Sequence, residues 1–165
     1  MDACARRGVF DPADAVRGRG AWLGPDGELV LHLGDQVLVG EEARDPGLIG
    51  DHVYPGRPRL TPPAADGGKP ARDAAARLLA ALEGWPWRRG ALDARLLLGW
   101  MVASLLGAAV GWRPQVMLTG DAGMGKSTLQ HLLKAVLGDR LLDVADATAA
   151  GLYQTLEFDA LGVAF

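Results

Sequence analysis

Cysteine, histidine and lysine are all scarce in this sequence. The single cysteine, Cys4, cannot close an internal disulfide. The three histidines, His32, His52 and His131, lie far apart, so no zinc-binding cluster is expected. A reducing cytoplasm is the expected location. Charge of one sign is lacking too: 17 basic residues stand against 20 acidic ones, a net charge of -3. Neither side of Gly90 is basic by itself, so the electrostatic footprint of a dedicated nucleic-acid binder is missing. Only three of the basic residues are lysines, Lys69, Lys126 and Lys134, an arginine excess that reads as a genome-composition bias. The opening MDACARRGVF carries acid and arginine where a signal peptide needs an apolar stretch, so secretion is not expected. The one membrane candidate is the uncharged run 96–112, bracketed by Arg95 and Arg113. It is shorter than the roughly 20 apolar residues a span needs and contains glycines and Ser104. A buried core helix, and no membrane partner, is the expectation there.

What is present suits a folded chain. The 165 residues are 49% hydrophobic and 22% charged, which excludes wholesale disorder and fits one domain, or a small domain with an appendage. Glycine and proline crowd the first 70 residues and predict turns there. Two short apolar runs with alternation, 28–33 and 36–39, are separated by Gly34-Asp35, and the first follows Pro25-Asp26-Gly27. This pattern predicts a small β-meander within an N-terminal region 1–53. Residues 54–70, rich in proline and glycine, read as an exposed linker. A helical hairpin is expected over 71–113: a first helix about 74–82 with Pro70 in its first turn, and a second, more buried one over 92–109. The remainder, 114–165, predicts a strand at 115–119, a glycine loop, a helix over 127–137 and two further strands at 141–145 and 161–165.

The loop carries the chemistry. Gly120, Asp121, Ala122, Gly123, Met124, Gly125, Lys126 and Ser127 fit G-x-x-x-x-G-K-[ST], with a predicted strand before and helix after. In a chain of this composition, roughly 0.002 chance occurrences of the pattern are expected. Glycines at 120, 123 and 125 let successive N–H groups turn inward toward phosphates at a helix N-terminus. Lys126 would reach the β- and γ-phosphates, Ser127 would ligate Mg²⁺, and Thr128 would start the helix and cap it or contact an α-phosphate. The expected ligands are a nucleoside triphosphate, ATP, and Mg²⁺.

Around this loop, WRPQVMLTGDAGMGKSTLQHLLKAVLG and DATAAGLYQTLEFDALGVAF resemble the ATPase core of phage and prophage primase-helicases, AAA+-related P-loop motors of the superfamily-three and poxvirus type. The upstream GRGAW and LVLHLGD are similar to the segment that precedes that core. The resemblance implies an α/β fold, a partial P-loop NTPase (AAA+-like) with parallel strands, preceded by the helical hairpin and the meander. It also implies ATP-driven DNA unwinding by a homo-oligomeric ring in phage or mobile-element replication. By the same resemblance the run 161–165 matches the strand that ends in the metal-binding acids of such motors. Those acids would come next, so the chain reads as a fragment that binds nucleotide without the parts for turnover, and no catalytic residue is assigned. Asp146, at the end of LLDVAD, is an upstream substitute for the metal-binding acid, or else caps a turn before Thr148. A non-catalytic nucleotide-binding or protein-interaction module is the alternative.

Weaker signals lie outside the loop. Arg17, Arg19, Arg57, Arg59, Arg88 and Arg89 are candidate phosphate contacts, and Trp85 and Trp87 candidate base-stacking platforms. The neighbouring acids and the Gly-Pro turns favour packing anchors instead. His131 reads as a surface or packing residue of the loop's helix, and Thr148 and Gln154 acquire no role from first principles.

Overall fold

The computed structural model describes residues 11–64, 69–144 and 148–164. One helical turn, α1 (Pro12–Ala15), is capped by the Asp11 carboxylate, which accepts from the Ala13 N–H at 2.9 Å. Four strands follow, β1 (Gly20–Leu23), β2 (Leu29–His32), β3 (Val37–Val39) and β4 (Glu42–Arg44), paired antiparallel in chain order. This is the expected meander. Its turns close where the glycines are, by Gly24 N–H to Glu28 O at 2.9 Å and Leu33 N–H to Gln36 O at 2.8 Å. A second hairpin, β5 (Gly47–Ile49) and β6 (His52–Tyr54), was not expected, since its strands are too short to show alternation. It belongs to the same core: Val30, Val37 and Tyr54 are buried together, with Trp22, Val39 and Ile49 against them.

The proline-rich stretch is a strap where it is described, rather than a free spacer. Arg57 N–H donates to Gly34 O and Leu60 N–H to Leu33 O, and Leu60 is buried. Thr61 N–H then donates to the Asp139 carboxylate at 2.7 Å, so the strap reaches the C-terminal half.

The helical hairpin forms as expected. α2 (Lys69–Glu83) has Pro70 in its first turn, and α3 (Ala91–Leu106) continues into a 3₁₀ turn, Gly107–Ala109. The 3₁₀ turn packs on β1. The burial expected of α3 is only half met. Ala94, Leu97 and Met101 are buried, whereas Leu92, Leu96, Val102 and Leu105 are exposed. Apolar residues run around the whole of α3, so the face turned away from the core stays without cover. Among the described residues, 91–109 is the one helical stretch long and apolar enough to cross a membrane by length and composition.

Next come α4 (Lys126–Leu137), a 3₁₀ turn (Gly138–Arg140), β7 (Leu141–Asp143), α5 (Ala149–Leu156) and β8 (Gly162–Ala164). Leu129, Leu133 and Leu137, spaced by four, put one face of α4 into a core shared with Leu82, Ala94, Leu97, Met101 and Leu141. β7 and β8 pair in parallel, Leu141 opposite Gly162, with α5 as the crossover. Thr148 thereby gains a role: its hydroxyl accepts from the Gly151 N–H at 3.1 Å and caps α5.

One expected strand is corrected. Residues 115–119 form no strand, because none of the described strands lies beside them. A cleft of about 590 Å³ separates Val116–Leu118 from Leu161–Ala164. The chain is therefore mixed α/β, with an antiparallel meander and one described parallel pair.

Besides the strap, the two halves are sewn together at a seam around Arg19 and Asp159. Asp159 accepts from the Arg19 backbone N–H at 2.6 Å, from its Nε at 2.9 Å and from its Nη2 at 2.6 Å. Ala160 N–H donates to Arg19 O beside it, and Gly20 forms a parallel bridge with Ala160.

Candidate functional site

The glycine loop sits where the sequence puts it, between the unpaired segment 115–119 and α4. Gly120 and Asp121 lie outside any helix or strand, Ala122 and Gly123 make a turn, and Met124 leads to Gly125 as the helix N-cap. Gly123 and Gly125 have φ of 82° and 80°, the left-handed region that side chains strain to adopt. A Cβ on Gly123 would meet open space, so glycine is required there by backbone conformation rather than by crowding. Lys126, Ser127 and Thr128 occupy the first turn of α4, whose N–H groups have no helical acceptor.

Lys126 curls back over this loop. Its ammonium donates to Gly120 O at 2.5 Å and to Asp121 O at 2.8 Å. Cationic charge, orphan N–H groups and the helix dipole therefore converge at one mouth. Leu129 anchors the start of α4 in the core, and its N–H donates to Gly125 O at 2.9 Å. Ser127 and Thr128 are exposed beside the mouth. The residues present thus fit a polyphosphate: donors and lysine at one point, with open space before the loop.

The Mg²⁺ assignment is narrower. The chain offers the Ser127 hydroxyl, and Asp146 lies outside the described residues. Asp143 is engaged by the Lys134 ammonium. Among the described residues no group of three or more Cys, His, Asp or Glu is placed to hold a metal ion.

A second wall faces the loop, formed by the turn between α2 and α3. The Trp85 indole N–H donates to Gly125 O at 3.2 Å, and the Trp87 N–H to Leu82 O at 2.6 Å. Between this turn and residues 116–121 opens a cleft of about 1030 Å³. Trp85 and Gly125 stand 40 positions apart, and no periodicity in the sequence links them. Their two separate irregularities, an aromatic Gly-Pro turn and a glycine loop, were the only signals.

The arginines proposed for phosphate contact are mostly engaged inside the protein. Arg17 stacks on Trp22 and donates to Leu23 O at 2.8 Å, Arg19 clasps Asp159, and Arg57 pairs with Glu157. Arg59 reaches Asp35 at 3.4 Å, and Arg89 holds Asp93 at 2.6 Å. Hydrogen bonding from Arg89 keeps the Asp93 carboxyl below its usual range. Arg88 has no ion-pair partner among the described residues. His131 is exposed on α4, as expected of a surface residue.

No family model, curated protein or solved structure matches the chain.

Proposed function

We propose that this chain binds a nucleoside triphosphate, ATP with Mg²⁺, through the loop 120–128, as the nucleotide-binding part of a P-loop ATPase. The observation that carries the reading is the Lys126 ammonium, held over the loop by Gly120 O and Asp121 O beside the free N–H groups of α4. Phosphate oxygens entering the mouth replace those carbonyl contacts with charge-assisted bonds, and the first-turn N–H groups complete the cradle. Ser127 would offer its hydroxyl to Mg²⁺, and the ion would supply neutralisation of phosphate charge. The resemblance to primase-helicase motors adds the wider setting: a ring of such subunits acting on DNA in phage or mobile-element replication, in the cytoplasm. A second reading, a nucleotide-binding or interaction module without turnover, draws support from the exposed apolar face of α3.

Lys126→Ala is expected to weaken triphosphate binding by about 2 to 3 kcal/mol, the size of a lost hydrogen bond between charged groups. Calorimetric titration with ATP and Mg²⁺ measures it. Unchanged affinity, or no binding to the unaltered chain, would sink the assignment.

A further inference from the structure

We propose that the turn 85–89 is the nucleoside wall of this site, so that an aromatic base lies in the cleft while its phosphates occupy the glycine loop; this rests on the triphosphate reading above. Three observations carry it. First, the cleft is a half-open groove of about 1030 Å³, which leaves room for more than a triphosphate tail. Second, the lining of this one cleft combines two chemistries. Lys126 and the loop residues Gly120 and Asp121 bring charge and polar groups, while Trp85 and Trp87, half-buried against the core, have their indole N–H groups already bonded to backbone carbonyls. What remains of these rings toward the cleft is apolar π surface. Met117, in the same lining, is 87% exposed, a soft side chain that adapts to a flat ring. A ligand with an anionic tail and a planar heterocyclic head matches both chemistries.

Third, the two arginines of the turn have separate fates. Arg89 is locked onto Asp93, and that pair fixes the turn to the start of α3. Arg88, exposed at the cleft, is left to lay its planar guanidinium on the head group. The hydrogen bond from Trp85 to Gly125 sets the wall against the loop, making Trp85 a positioning residue for the phosphates as well as a platform for the base.

The test compares Mg·ATP with inorganic tripolyphosphate, which has the tail without the head, using the 165-residue chain in calorimetry and tryptophan fluorescence. ATP is expected to bind at least about tenfold more tightly, the lower range of one base stacked on an aromatic ring. It should quench tryptophan emission while tripolyphosphate does not, and Trp85→Phe should reduce the quench. Arg88→Ala, at an exposed position with no described ion-pair partner, should lower ATP affinity about threefold more than it lowers tripolyphosphate affinity. Equal affinities for the two ligands would overturn the base subsite while leaving the loop assignment standing. Failure of both to bind would overturn both. Quenching by a single-stranded oligodeoxynucleotide that ATP does not displace would assign the wall to strand binding and overturn the proposal.

Discussion

The two halves of this molecule solve the same problem with different success. The N-terminal half pairs every strand with a neighbour and closes its core around Val30, Val37 and Tyr54, each no more than 2% exposed. In the C-terminal half the backbone before the loop has no strand partner among the described residues, α3 shows four apolar side chains to solvent, and two clefts flank residues 116–118. The difference follows from how each half satisfies its backbone. Antiparallel strands joined by short turns find their partners locally, whereas parallel strands depend on distant ones. An open half also leaves room for a ligand, and the glycine loop lies there. Closure in one region and access in the other are joined through the Arg19–Asp159 seam.

Breaking that seam should have the largest effect on stability. The Asp159 side chain is only 8% exposed and accepts three hydrogen bonds from Arg19, whose own side chain is 23% exposed. Asp159→Ala strands the guanidinium and a backbone N–H, at an expected cost of about 3 kcal/mol. Both halves should weaken together, which denaturant unfolding followed by tryptophan emission and by far-ultraviolet dichroism would show as coincident transitions. Transitions that separate already in the unaltered chain would mean that the seam couples nothing.

A smaller effect, of opposite sign, tests how well the closed half is closed. His32 is fully buried on β2, edge-on to Tyr54 with ring centroids 5.6 Å apart. Neither of its ring nitrogens has a hydrogen-bond partner among the described residues. Buried unpaired polar atoms cost about 1 to 3 kcal/mol, so His32→Leu should raise stability by about 1 kcal/mol after some loss of packing. A higher denaturant midpoint at an unchanged slope would confirm it. A lower midpoint would show that the imidazole is better satisfied than its geometry suggests.

How much could be read in advance also divides along the two halves. The β2–β3 part of the meander announced itself through alternating residues punctuated by Pro25-Asp26-Gly27 and Gly34-Asp35. The hairpin β5–β6 did not, because three-residue strands are shorter than any periodicity test. Helices α2, α3 and α4 were legible from their leucine spacing and flanking glycines. The segment 115–119 has the composition of a strand, but composition does not supply the neighbour that a strand requires. At the site, the spacing of Gly120, Gly125, Lys126 and Ser127 marked the loop and the helix after it, whereas the curl of Lys126 onto Gly120 O and Asp121 O is visible only in the structure. Trp85 was noticed without its partner Gly125, since contacts across 40 residues are written in tertiary packing alone. The strap at Leu60 was hidden because prolines mark an absence of regular structure and say nothing of where the chain is tied.

The smallest expected effect concerns acid sensitivity of the closed half, and it centres on His52 in β6. Desolvation holds the His52 pKa below its ordinary value, the positive charge of Arg17 adds to this, and Asp51 opposes it. A depressed folded pKa means that the unfolded chain takes up the proton first as pH falls. The associated stability is therefore present above the ordinary imidazole value of about 6.5 and is lost as pH drops through the lower folded pKa. Denaturant midpoints should thus fall between pH 7.5 and pH 5, and His52→Gln, which carries no titrating ring, should flatten that fall. Because His52 sits in the hairpin beside the buried Tyr54, the change should appear in the unfolding of the meander while Mg·ATP affinity at the loop stays constant over the same range. A fall of equal steepness in the variant would move the acid sensitivity to other groups, and a parallel fall in nucleotide affinity would mean that the closed half controls the open one.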